Sequence, residues 1–191
     1  MKFDIVLAGV GGQGVLSVSA VIASAALDQG LDVKQSEVHG MAQRGGAVQA
    51  NLRLSDQPIA SDLIPSGGAA LILSMEPLEG LRYLDRLSPD GTVISSINPV
   101  TNIPDYPPID DVLATLGRLP RAVLIDSDKL AREAGSIRAT NMVIVGAASR
   151  VLPLDPSTLE RFIASRFASK GEKVVELNLR AFRAGREAAA R

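Results

Sequence analysis

Between a short apolar run and a helix-like segment the chain carries Gly9-Val10-Gly11-Gly12-Gln13-Gly14, which contains the spacing G-x-G-x-x-G. Glycines so placed let the backbone turn tightly and approach a ligand. The helix that follows presents unpaired N–H groups and a positive dipole end. A phosphate or a carboxylate is the chemistry this suits. It is not a Walker A loop, because Val15 and Leu16 stand where Lys and a hydroxyl residue are needed. A dinucleotide reading wants an acid at the end of the second strand, and Glu37, 23 positions after Gly14, is available. The competing explanation is that the glycines simply let strand and helix pack closely.

A second cluster is Ser36-Glu37-Val38-His39-Gly40-Met41-Ala42-Gln43-Arg44-Gly45-Gly46, which places the only His, a Gln, an Arg and three glycines in one connection. Arg44, followed by Gly45 and Gly46, can offer a planar fork to a carboxylate or phosphate where bare backbone leaves room. His39 can exchange a proton near neutral pH with Glu37 orienting it, or it can be a hydrogen-bonded structural residue. Asn141, after Thr140 at a helix start, can cap that helix or reach across to the glycine loop, and capping is the expectation. Arg183, Arg186 and Arg191 near the end of the chain pair by spacing with Glu176 and Glu187 and read as a solvated helix face.

Composition removes several classes of function. Lys+Arg 20 against Asp+Glu 21 gives a charge of -1 and no field for nucleic acid or an acidic membrane. With no Cys, disulfides, thiolate nucleophiles and cysteine-ligated zinc or iron-sulfur clusters are excluded on this chain. One His, two Tyr, four Phe and no Trp leave no His-rich metal site and no base-stacking platform. The 46% hydrophobic content with 17 glycines is high for a soluble domain and points to apolar surface that a partner covers. No stretch reads as a membrane span or signal peptide, so the expected compartment is cytoplasmic.

The elements that must position these residues alternate between strand and helix. Strands are expected at 3–8, 33–36, 47–54, 71–74, 92–97 and 122–126, and helices at 15–29, 77–87, 128–134, 140–150, 156–167 and 174–190. Gly30 stops the first helix, which is apolar nearly all round and needs cover on both sides. Residues 88–91, Ser-Pro-Asp-Gly, read as a turn, and 98–108, with four prolines, as an extended mobile connection. In 47–54, Val48, Ala50, Leu52 and Leu54 alternate with Gln49, Asn51 and Arg53, which implies one wet or functional face. The expected architecture is a single α/β domain over 1–191, three-layered and Rossmann-like, its largely parallel sheet mixed if 47–54 runs antiparallel.

The stretches DIVLAGVGGQGVL, SEVHGMAQRGGAV, RLSDQPI and ATNMVIVGAA together resemble the gamma-type domain of 2-oxoacid:ferredoxin oxidoreductases over nearly the whole chain. EVHGMAQRGG is similar to the indolepyruvate type. The resemblance implies a subunit of an enzyme that oxidatively decarboxylates a 2-oxoacid to acyl-CoA and reduces ferredoxin. It implies thiamine diphosphate, Mg²⁺ and iron-sulfur clusters on a large companion alpha subunit, none on this chain, and CoA as co-substrate. It places Gly11, Gly12, Gln13, Gly14, Glu37, His39, Gln43, Arg44, Gly45, Gly46 and Asn141 as candidates to face substrate, CoA or partner, and names no catalytic residue and no metal ligand. A homo-oligomer is compatible with the apolar content. The rival readings are a free-standing nucleotide- or flavin-binding Rossmann oxidoreductase and a purely structural assembly subunit.

Overall fold

A computed structural model describes residues 1–39, 45–101 and 103–190, the side chain of His39 excepted. The chain forms β1 (Lys2–Val10), α1 (Val15–Asp28), β2 (Asp32–His39), β3 (Ala47–Ser55), β4 (Ala69–Ser74), α2 (Pro77–Leu81), β5 (Leu87–Ser96) and α3 (Ile109–Gly117). It continues through β6 (Ala122–Ile125), α4 (Ser127–Ala134), α5 (Thr140–Ala148), α6 (Pro156–Phe167) and α7 (Glu172–Ala188). The strands make one six-stranded sheet in the order β2-β3-β1-β4-β5-β6. β3 is antiparallel to both its neighbours, and every other pairing is parallel. The mixed α/β sheet expected from the sequence is present, with its antiparallel strand at 47–55.

The sheet's two faces differ in cover. Ile5, Leu7, Leu52, Leu54, Leu71 and Leu73 pack against α1, α4, α5, α6 and α7, whereas Val6, Ile72 and Val93 pack against Ile64, α2 and α3. The polar residues that alternate along β3 lie on this second side, under residues 56–68. Arg53 Nη1 donates to the carbonyls of Ser61 and Leu63 at 2.9 Å each, and Ser36 Oγ to that of Asp62 at 3.5 Å. The wet face expected of β3 is therefore roofed by a loop tied down through polar contacts.

α1 is covered as its composition demands, by the sheet on one side and by α6 on the other, leaving Leu16 and Leu27 exposed. It ends in a Schellman pattern: Gly30 N–H donates to Leu27 O at 3.0 Å and Leu31 N–H to Ala26 O at 3.1 Å, with Gly30 at φ 80°. α5 is buried from Asn141 to Ala148 and crosses α7 closely. A Cβ on Gly146 would lie 1.9 Å from Phe182 O, and one on Gly185 1.9 Å from Val143 O.

Three elements depart from expectation. The 77–87 helix stops at Leu81 and is followed by a 3-10 turn at Leu84–Arg86. Residues 88–91 are not a turn between elements but part of β5, where the pairing jumps from Ala69↔Leu87 to Leu71↔Thr92; the Ser-Pro-Asp-Gly residues form a bulge in a strand. α3 was not anticipated. It is short, with only Val112 and Leu116 buried, so its periodic signal is faint, although Pro108 before it and Asp110 and Asp111 in its first turn suit a helix start.

Candidate functional site

The antiparallel β3 brings the two sequence clusters together. The β1–β3 ladder ends at Val10↔Ala47, and two further backbone bonds extend it: Gly11 N–H donates to Gly46 O at 2.8 Å, and Gly45 N–H to Gly11 O at 3.2 Å. Residues 11–14 and 45–46 thus share one surface at the carboxyl end of β1. Gly12 and Gly45 are exposed there; Gly11, Gln13, Gly14 and Gly46 are half-buried. Gln43 and Arg44 lie outside the described residues, as does the side chain of His39, whose backbone ends β2 opposite Val48.

β1 and β4 are the parallel pair from which the chain departs to opposite sides of the sheet, and the gap beyond their ends is where α/β folds usually place a ligand. Gln13 fills it. Its Oε1 accepts from Val10 N–H at 2.8 Å and its Nε2 donates to Met75 O at 3.1 Å, which locks the glycine loop onto the end of β4. A Cβ on Gly9 would sit 2.9 Å from Val15 Cγ2, 3.0 Å from Gln13 Oε1 and 3.2 Å from Met75 Cβ. Close packing is thus the role of Gly9.

Gly14 has a different task. It is the N-cap of α1 at φ 84°, and α1 has neither a side-chain cap bond nor an acid in its first turn. Its first N–H groups therefore have no capping side chain, as an anion site requires. Asn141 lies against it: Nδ2 is 2.7 Å from where a Gly14 Cβ would stand. Asn141 does not cap α5, whose N-cap is Ala139 with no side-chain bond. The expectation of capping is corrected in favour of the reach across to the glycine loop. Asn141 is 9% exposed, and its Oδ1 is a buried acceptor with no hydrogen-bond partner among the described residues.

Glu37 does not fit the ribose role. It is exposed on the edge strand, opposite Ala50, which in turn faces Leu7. β3 therefore separates it from β1, and two strand spacings amount to roughly 10 Å. A dinucleotide fingerprint needs its acid on a strand next to the glycine loop, and here the crevice is also closed by Gln13.

The structure adds residues that periodicity did not suggest. Asn98, after β5, is held on several sides: its Oδ1 accepts from Ser96 Oγ (3.0 Å), Ser127 Oγ (3.2 Å) and Asp128 N–H (3.0 Å), and its Nδ2 donates to Asp126 Oδ1 at 3.0 Å. Glu76, 1% exposed, caps α2 through Glu79 N–H at 2.8 Å and accepts from Tyr106 Oη at 2.5 Å. Burial first, then the hydrogen bond and charge of Glu76, push the Tyr106 phenol well above its usual 10. Burial also raises Glu79 above 4.5, with Arg82 pulling partway back. A cavity of about 70 Å³ lies among Gln13, Met75, Asn98, Val100, Ser127 and Thr140. Position at the carboxyl ends of β4 and β5 was the available signal for these residues. Among the described residues no three His, Cys, Asp or Glu side chains gather as a metal site, and no helix is long and apolar enough to cross a membrane.

A family model described as pyruvate ferredoxin/flavodoxin oxidoreductase matches residues 4–188. The chain is 38% identical to indolepyruvate oxidoreductase subunit IorB of Methanothermobacter thermautotrophicus, over 100% of this chain and 99% of that one. It is 37% identical to the IorB subunit of Archaeoglobus fulgidus, over 97% and 94%. Among solved structures it is similar to the 2-oxoglutarate:ferredoxin oxidoreductase of Magnetococcus marinus, determined with 2-oxoglutarate, coenzyme A and succinyl-CoA bound. The TM-score is 0.80 at 25% identity, covering 99% of this chain and 31% of that longer one. The gamma subunit of a keto/oxoacid ferredoxin oxidoreductase from Geobacter sulfurreducens shares the fold, with TM-score 0.74, 24% identity and 98% coverage of each chain.

Proposed function

The chain belongs to the pyruvate ferredoxin/flavodoxin oxidoreductase family, and from that membership we propose that it is the small subunit of an indolepyruvate-type 2-oxoacid:ferredoxin oxidoreductase. The observation that carries this reading is the correspondence with IorB subunits over nearly the whole length of both chains. The reaction is oxidative decarboxylation of an aryl 2-oxoacid to its acyl-CoA with reduction of ferredoxin.

The chain's own residues do not suit the electron-carrying cofactors: with no Cys it has no thiolate for an iron-sulfur cluster. Thiamine diphosphate, Mg²⁺ and the clusters belong on a larger companion subunit, and this chain completes the active region. In the Magnetococcus relative the matching region is under a third of one long chain, which supports close apposition to the rest of such an enzyme. The surface made by Gly11, Gly12, Gly14, Gly45 and Gly46, with Gln43, Arg44, His39 and Asn141 beside it in sequence or space, faces substrate, CoA or the companion. Gln13 acts as its internal brace, and the uncapped start of α1 suits an anionic group.

Reconstitution tests this. The chain alone should contain no iron and turn over no 2-oxoacid, whereas the chain with its companion should reduce ferredoxin in the presence of indolepyruvate and CoA. Arg44→Ala in that complex should lower turnover at unchanged melting temperature. Turnover by the isolated chain, or by the companion without it, would sink the proposal. Calorimetry with NAD and FAD addresses the free-standing alternative: micromolar binding abolished by Gly14→Val would favour it.

A further inference from the structure

β6 forms one edge of the sheet, and no described strand pairs with its outer side. The carbonyls of Arg121 and Ile125 accept from Val93 N–H and Ile97 N–H at 2.9 Å each, so these residues turn their main chain toward β5. By the alternation of a strand, Ala122 and Leu124 turn theirs outward. Each leaves an N–H and a C=O at the rim of the sheet. Proteins commonly guard such an edge with charged side chains or with cover. β2, at the other edge, carries Asp32, Lys34 and Glu37, whereas β6 reads Ala-Val-Leu-Ile. At four residues β6 is guarded by shortness alone.

A groove of about 710 Å³ runs beside this edge, between the strand and the exposed sides of α4 and α7. Val123, Leu130, Ala184 and Ala188 give it an apolar lining, and Glu133 and Glu187 stand exposed in its walls. Neither glutamate makes an ion pair among the described residues. The arginines beside them in sequence, Arg132 and Arg186, are engaged with Asp128 and Ser149. Lys129 is the single cation among the lining residues, so acid is in excess. A second copy would set that excess against itself, whereas a strand carrying Lys or Arg would complement it.

We propose that the β6 edge is a docking surface on which an extended segment of the companion subunit adds a seventh strand, with apolar side chains over Val123 and Leu130 and a Lys or Arg against Glu133 and Glu187. Main-chain bonds to Ala122 and Leu124 hold the segment, and the groove reads its side chains. The identity of the partner rests on the subunit reading; the open edge and its charge belong to this chain. β6 lies three strands from β1 in the sheet, roughly 14 Å away, so this contact is separate from the glycine-loop surface.

Hydrogen exchange on the chain alone and in complex with its companion tests the contact. The amides of Ala122 and Leu124 should exchange freely in the chain alone and slow by roughly tenfold or more in the complex. A complex that reduces ferredoxin while these amides exchange as before would overturn the inference and leave the subunit reading standing. Failure to form any complex would overturn both. Two variants add a binding readout. Ala122→Pro removes only an outward N–H, and Glu133→Lys combined with Glu187→Lys reverses two exposed charges. Each should weaken the complex by roughly tenfold or more at unchanged melting temperature. Undiminished binding by either folded variant would refute the added strand. Slowed exchange at Ala122 and Leu124 in a concentrated solution of the chain alone would assign the edge to a second copy and count against the proposal.

Discussion

Asp4 and Arg53 face each other across β1 and β3 and form a bidentate pair, Nε to Oδ1 at 2.9 Å and Nη2 to Oδ2 at 3.1 Å. Asp4 is 2% exposed and Arg53 8%, and the remaining Nη1 reaches over the strand to the carbonyls of Ser61 and Leu63. One guanidinium thus neutralises a buried carboxylate and pins the loop that roofs the sheet. Lys2 Nζ, 3.1 Å from Asp4 Oδ2, adds a second, more exposed cation.

Arg53→Met should destabilise the chain by about 3 kcal/mol, because it strands the Asp4 carboxylate in the interior with only Lys2 beside it. Arg53→Lys should recover less than half of that, since an ammonium cannot span both carboxylate oxygens and two carbonyls. Urea denaturation measures both, and exchange in 56–68 should rise in each variant.

Gln13→Leu removes the acceptor for Val10 N–H and the donor to Met75 O in one step, at a cost of about 1–3 kcal/mol. Turnover of the assembled enzyme should fall with it, because the loop from Gly9 to Gly14 loses its tie to β4. Gln13→Glu keeps the acceptor for Val10 but sets a carboxylate against the Met75 carbonyl, and should be no better. Thermal melts beside steady-state rates give the comparison.

Gly185→Ala should cost more than about 3 kcal/mol, as its methyl would meet the Val143 carbonyl at 1.9 Å and neither α5 nor α7 can retreat without opening the core. An Ala variant as stable as the parent would mean that the two helices slide freely.

Glu79 carries a pH signature. Its folded-state value is raised by burial, so the folded chain binds this proton more tightly than the unfolded chain does. The stability it contributes is present below about 4.5 and is lost as pH rises through the folded value. Glu79→Gln should therefore gain on the parent as pH increases from 4 toward 7, measured by denaturation midpoints at each pH. A gain that grows in the opposite direction would contradict the assignment.

The glycine loop, the β-branched first strand and the apolar α1 were legible in the sequence because each rests on local pattern: spacing, periodicity and a Gly stop at residue 30. The alternation in 47–54 gave the strand and its polar side, but not that Arg53 would find Asp4, which depends on β3 lying next to β1. The same topology explains why Glu37 failed as a ribose acid: strand order is not written in local pattern. The glycine spacing points to Gln13 as ligand-facing, yet its described hydrogen bonds go to the main chain. An Asn at a helix start suggests a cap by local pattern alone, whereas the approach of Asn141 to Gly14 joins residues far apart in sequence. Tyr106 sits in a Pro-rich stretch that carries no periodicity, so only the fold could reveal its partner.

The ladder from Asp32↔Ser55 to His39↔Val48 makes β2 and β3 a hairpin whose connected end lies beside the glycine loop. Lengthening a hairpin tip adds closure entropy only logarithmically and leaves the paired strands in register. Residues 40–46 can therefore be exchanged as a cassette. Transplanting that segment between relatives need not disturb the sheet, because the bonds that hold Gly45 and Gly46 to Gly11 are made by main chain alone.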